Sequence, residues 1–122
     1  MYQVSVEHHF DAAHYLREYH GKCESLHGHR FNVVVTLETG RLNDIGLAYD
    51  FVDLKSHLNS VLSAYDHVCL NDVPPFDKIN PSSENIAKTI YDRLASKLSD
   101  QVKLSRVEVW ESPVTHVTYI PD

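Results

Sequence analysis

His27 and His29 stand two residues apart, ahead of a run rich in β-branched residues, and this spacing constrains the chain more than any other feature. In an extended strand the side chains at i and i+2 leave from one face. Two imidazoles on one face can grip one metal ion, and Gly28 between them leaves the backbone unhindered. A third histidine, His14, sits just past an alternating N-terminal segment. Three neutral imidazoles with one open position make a catalytic zinc arrangement. The stretch from Cys23 to His29 also holds a thiol and a carboxylate, Glu24. Its spacing equally fits a closed structural site in which Cys23 is a fourth ligand beside His14, His27 and His29. A closed site only holds the fold, whereas an open one can polarise a substrate oxygen.

The flanking patterns predict the elements that carry these residues. Val4, Val6, His8 and Phe10 alternate with polar or charged residues and predict a first strand. Phe31 to Glu38, with Val33, Val34, Val35 and Thr36, predicts a second. Gly40 to Gly46 is a turn region. Asp50 is placed to cap a first helix whose apolar stripe is Phe51, Leu54, Leu58, Val61 and Leu62. Val73 to Phe76 is a loop, and Pro81-Ser82-Ser83-Glu84 opens a second helix with a hydroxyl cap and an acid in its first turn. Ile86, Ile90, Leu94 and Leu98 form the buried face of that helix. Val102 to Trp110 and Val114 to Ile120 predict a closing hairpin that turns at Glu111-Ser112-Pro113. Four antiparallel strands and two amphipathic helices predict an α+β layer with both helices on one sheet face. Apolar residues on the other face predict a second layer supplied by another subunit.

Length and charge set the remaining bounds. A chain of 122 residues is enough for one domain, residues 1–122, and short for two. No apolar run approaches the length needed to span a bilayer, and Met1 to Glu7 lacks the charged and apolar regions of a signal peptide. Cys23 and Cys69 are too few for a disulfide framework, so a reduced, cytoplasmic protein is expected, with Cys69 a small buried apolar residue. The net charge of −6 argues against non-specific nucleic-acid binding. There is no internal repeat, low-complexity segment or linker.

Six segments in order resemble the 6-pyruvoyl-tetrahydropterin synthase and 6-carboxytetrahydropterin synthase family. They are Phe10 to His14, Cys23 to His29, Asp50 to Lys55, Tyr65-Asp66-His67 with Leu70-Asn71, Asn80 to Asn85, and Val109-Trp110-Glu111. The resemblance implies a tunnelling fold, in which the four-stranded sheets of several subunits close into a barrel. It also implies a homohexamer with active sites between subunits, and zinc on His14, His27 and His29. The implied substrate is 7,8-dihydroneopterin triphosphate, whose side-chain oxygens the family zinc chelates.

The same resemblance assigns roles to individual residues. Cys23 is implied as general base or acid, its thiolate favoured by a nearby cation. Asp66 and His67 are implied as a second proton-transfer pair, which must lie at a helix end or turn, because strand neighbours point to opposite faces. Glu111 is implied as the pterin anchor, accepting from the ring N–H and the amino group. Ser82 and Ser83 are candidates for further pterin contacts, although helix capping explains both. Arg17, His20, Lys22 and Arg30 are the candidate cations for the triphosphate.

Glu24 departs from the plainer pattern. A glutamate at this place goes with family branches that cleave the side chain to 6-hydroxymethyl-7,8-dihydropterin for folate. The cysteine-only form goes with 6-carboxytetrahydropterin in queuosine biosynthesis, or with 6-pyruvoyltetrahydropterin. The resulting expectation is a zinc-dependent lyase acting on a pterin triphosphate and making 6-carboxy-5,6,7,8-tetrahydropterin. The opposing class is a non-catalytic, zinc-stabilised binding module.

Overall fold

The N-terminal alternation runs further than Phe10. In the computed structural model, which describes residues 1–122 with the side chain of Cys23 excepted, β1 spans Tyr2–His14 and β2 spans His27–Thr39. They pair antiparallel without a break from Tyr2 opposite Thr39 to His14 opposite His27. The pairing carries each strand past its β-branched centre, so all three histidines lie within strands. Two helices follow. The first, α1 (Phe51–Leu62), is capped by Asp50, which accepts from the Val52 N–H at 2.8 Å. The second, α2 (Ser83–Ala95), is capped by Ser82, which accepts from the Asn85 N–H at 3.2 Å.

Between the helices lies β3, only Val68–Cys69, which runs parallel to β1 at Ala12 and Ala13. The chain closes with β4 (Lys103–Ser112) and β5 (Thr115–Tyr119). The sheet therefore has five strands in the order β3-β1-β2-β4-β5, not four, and is mixed rather than purely antiparallel. A two-residue strand leaves no periodic trace in the sequence, which is why it is not predicted. The fold is otherwise the expected one, with both helices on one sheet face.

Core and outer residues separate by parity. Val6, Phe10, Phe31, Val33, Val35, Val107 and Val109 are buried beneath Leu54, Leu58, Ile86, Ile90 and Leu94. Phe10 stacks on Phe31 with ring centroids 4.9 Å apart. Each fully buried Leu or Ile contributes about 1.5–3 kcal/mol. Two residues leave the predicted stripes: Phe51, the first residue of α1, is 60% exposed, and Leu98 lies beyond the end of α2 and is only half-buried.

The outer face is more polar than expected. Gln3 donates to Glu38, the Ser5 and Thr36 hydroxyls lie 2.8 Å apart, and Arg30 pairs with Asp11. Val34 and the Trp110 ring, stacked on His116 at 3.9 Å, are its half-buried apolar components.

Candidate active site

β1 and β2 finish side by side, and their core-facing residues there are histidines. His14 lies opposite His27, and Ala12 opposite His29. Parity puts all three imidazoles on the helix side of the sheet. Ring centroids are 4.6 Å apart for His14 and His27, 4.8 Å for His27 and His29, and 5.4 Å for His14 and His29. His14 is 2% exposed. Its Nδ1 donates to the Pro81 carbonyl at 2.7 Å, and His27 Nδ1 donates to the Ser25 carbonyl at 2.6 Å. A carbonyl can only accept, so each Nδ1 carries the proton and each Nε2 keeps its lone pair.

Glu111 completes the group. Its Oε1 lies 3.1 Å from His14 Nε2 and 3.2 Å from His29 Nε2. A carboxylate oxygen facing a ring nitrogen whose proton sits elsewhere brings two acceptors together. Such an arrangement needs a cation between them, either a metal ion or a second ring proton. Burial pushes the His29 pKa below its ordinary value, with Glu111 acting in the opposite direction, so the neutral, ligating form is favoured. The four side chains each offer one ligand atom within 4.8 Å of the others. Three imidazoles, two of them held by backbone carbonyls, with one carboxylate nearby, suit zinc in donor type.

Glu111 sits in β4 rather than in the turn expected from the sequence. It shares the core side with Val107 and Val109, and the β4–β5 register slips between Trp110 and Ser112. Slips of this kind re-aim side chains beside active sites. The turn lies one step later, with Ser112 opposite Thr115 and their hydroxyls 2.7 Å apart. Beside Glu111 is a recess of about 150 Å³, lined by Ser83, Glu84, Glu111, Thr115, His116 and Val117. Ser83 reaches this recess, while the Ser82 hydroxyl is engaged in capping α2. Glu84 belongs to the recess as well. In the sequence it is indistinguishable from an acid placed to suit a helix dipole.

Asp66 and His67 form a separate cluster across the sheet. His67 has φ +58°, a left-handed conformation uncommon for a side chain of this size, and it turns the ring onto its neighbour. His67 Nδ1 lies 2.9 Å from Asp66 Oδ2. This left-handed residue is how two adjacent side chains converge. The pair is fastened to β1: the Asp11 N–H donates to Asp66 Oδ1 at 2.9 Å, and the His67 N–H donates to the Asp11 carbonyl at 2.6 Å.

The Asp11 N–H, and after it His67, hold the Asp66 carboxyl below its usual range. Arg30 grips the Asp11 carboxylate at 2.9 and 3.1 Å and lowers its pKa in turn. Asp11, His29, Arg30, His67 and the half-buried Cys69 line a cleft of about 570 Å³, which thus reaches one of the three imidazoles. Cys69 is thus less buried than expected, because β3 lies on the sheet edge.

The remaining candidates divide. Arg30 is already paired with Asp11, and the Arg17 guanidinium donates to three neutral backbone carbonyls, which fix its place without cancelling its charge. His20 and Lys22 are exposed. Glu24 Oε2 accepts from the His20 N–H at 2.8 Å, which holds its carboxylate against its own loop. The backbone of Lys22–Glu24 forms a single 3₁₀ turn, and the acid–base role expected of Cys23 falls on a side chain outside the described residues.

Comparison with known proteins places this geometry. A family model described as 6-pyruvoyl tetrahydropterin synthase matches residues 3–122. The 6-carboxy-5,6,7,8-tetrahydropterin synthase of Bacillus subtilis is 32% identical over 98% of this chain and 86% of its own. The dihydroneopterin monophosphate aldolase of Pyrococcus furiosus is 38% identical over 84% of this chain and 82% of its own. The solved structure of Caenorhabditis elegans 6-pyruvoyl tetrahydropterin synthase superposes with a TM-score of 0.85 at 31% identity, covering 100% of this chain and 98% of that one. These relatives carry three different activities by name.

Proposed function

From the premise that the chain belongs to the 6-pyruvoyl tetrahydropterin synthase family and is a pterin synthase of the lyase type, we propose the following reaction. The substrate is 7,8-dihydroneopterin triphosphate, the product is 6-carboxy-5,6,7,8-tetrahydropterin, and the pathway is queuosine biosynthesis. The observation that carries this reading is the convergence of His14, His27, His29 and Glu111 beside a recess of about 150 Å³. The three histidines would hold a zinc ion. When bound, it supplies a Lewis acid for the oxygens of the substrate side chain.

The other roles belong to the protein. Glu111 borders both the imidazoles and the recess, and there its carboxylate accepts from the pterin ring N–H and amino group. Ser83 and Glu84 line the same recess, and Ser82 fixes the helix end behind them. Cys23 moves a proton at the side-chain carbons, and the Asp66–His67 pair moves a second. Asp66 and His67 group with Asp11, whose place in β1 has the opposite parity from His14. In a homohexamer with shared sites, a neighbouring subunit would bring this pair to the imidazoles. No helix is long and apolar enough to cross a membrane, in keeping with a cytoplasmic enzyme.

Side-chain cleavage to 6-hydroxymethyl-7,8-dihydropterin is the second reading, favoured by the likeness to an aldolase and by the presence of Glu24. The bond from His20 N–H to Glu24 Oε2 favours the first, because it holds one carboxylate oxygen in its own loop. Incubation of the zinc-loaded protein with 7,8-dihydroneopterin triphosphate, followed by mass spectrometry, decides between them. The expected mass is that of the 6-carboxy product. A 6-hydroxymethyl product overturns the choice of branch, and unchanged substrate overturns the proposal.

A further inference from the structure

The geometry points to Arg17, Asn71 and Asn80 as positioning residues that fix His14 for metal binding, an inference that rests on the proposed role of His14. Past His14 the chain leaves β1, yet its backbone stays paired. Asn71 Oδ1 accepts from the Tyr15 N–H and Asn71 Nδ2 donates to the Tyr15 carbonyl, both at 3.0 Å. Asn80 does the same for Arg17, at 2.9 and 3.1 Å. Two amide side chains thus stand where a neighbouring strand would, each serving both polar groups of alternate residues.

Arg17 returns the grip. Its guanidinium donates to the carbonyls of Phe76 at 2.9 Å, Ile79 at 3.2 Å and Asn71 at 3.3 Å. Only a planar fork with several separated donors can span three carbonyls; a lysine ammonium is a single point. Asn85 of α2 holds the Asn80 carbonyl at 2.9 Å. The next residue, Pro81, supplies the carbonyl that accepts from His14 Nδ1–H. The backbone following His14 and the backbone preceding its acceptor are therefore tied together. That tie sets which ring nitrogen carries the proton and where the other one points. Groups that orient a ligand in this way carry about ten- to a hundredfold in metal affinity.

Nitrogen-15 spectra of the metal-free protein read the His14 tautomer directly. The expected wild-type result, at a pH high enough that the ring holds one proton, is a single Nδ1–H form. Arg17→Met and Asn80→Ala, each confirmed as folded by circular dichroism, should show averaged tautomers and about ten- to a hundredfold weaker zinc binding in chelator competition. Arg17→Lys should fall between them and wild type. Ile90→Val, a core change distant from the clamp, should lower the melting temperature and leave both readouts unchanged.

An unaltered tautomer and zinc affinity in folded Arg17→Met overturns the inference, as does a mixed tautomer in wild type. Coupling is reciprocal, so zinc must also slow exchange of the Tyr15 and Arg17 amides in the wild-type protein. Unchanged exchange overturns the inference even where the variants do not fold. Failure of wild type to bind zinc overturns the proposed function instead, and the tautomer readout still decides the role of the clamp.

Discussion

The histidine cluster and the Asp66–His67 cluster draw on the same two strands and differ in almost every physical respect. His14 and His29 use one parity of β1 and β2; Asp11 and Arg30 use the other. On the helix side, burial keeps His29 neutral and backbone carbonyls set the tautomers of His14 and His27. On the outer side, charges are paired with charges in contact with solvent, and Asp66 stays ionised. One sheet thus separates a site suited to coordination from a pair suited to proton transfer, through nothing more than side-chain alternation.

The sharpest way to break this comparison is to remove one imidazole from each side. His27→Ala should lose zinc, with affinity reduced more than the roughly hundredfold that a supporting group carries. His67→Ala should keep its zinc and lose about 10²–10⁴ in kcat. Metal analysis beside steady-state kinetics separates the two, and zinc loss in His67→Ala would show that the clusters are not independent. Mixed oligomers of the two inactive variants should regain activity, because one subunit supplies intact imidazoles and the other an intact Asp66–His67 pair. No recovery would place both clusters in one chain's site.

Cys23→Ala should retain zinc and pterin binding while losing at least about a hundredfold in rate. Loss of the metal in that variant would make Cys23 a ligand and the site a closed one. Glu111→Gln should weaken pterin binding by roughly 2–4 kcal/mol, measured by titration with neopterin, with zinc content unchanged. Zinc loss there would make Glu111 the fourth ligand.

The smallest effect is on the outer side. The Asp66 carboxyl lies below its ordinary 3.8, so its stabilisation is present above that value and fades as pH falls through the lowered one. Asp66→Asn should flatten the acid limb of the stability curve below about pH 4. An unchanged limb would assign the acid sensitivity to other carboxylates.

Much of the inner cluster was legible in the sequence because it depends on local rules. The i, i+2 spacing of His27 and His29, the Asp50 and Ser82 caps and all but the end residues (Phe51 and Leu98) of the two helix stripes follow from short-range rules. The outer cluster was legible only in part. Asp66 and His67 are visible as a pair, but their fastening to Asp11 joins residues 55 apart, and Asp11 meets Arg30 only through strand register. Glu111 was displaced by one step because a register slip has no signature in composition. Asn71 and Asn80 read as loop residues, since nothing local distinguishes an amide that turns a chain from one that replaces a strand.

That replacement also bears on solubility. A sheet margin with open N–H and C=O groups invites another chain to add to it. At Tyr15 and Arg17 the asparagine amides occupy those groups from within, so this stretch offers no template for accretion. The unshielded rim lies instead along β5 and along the part of β1 that β3 does not reach. Those two margins, and not the stretch after His14, are where a further strand could pair.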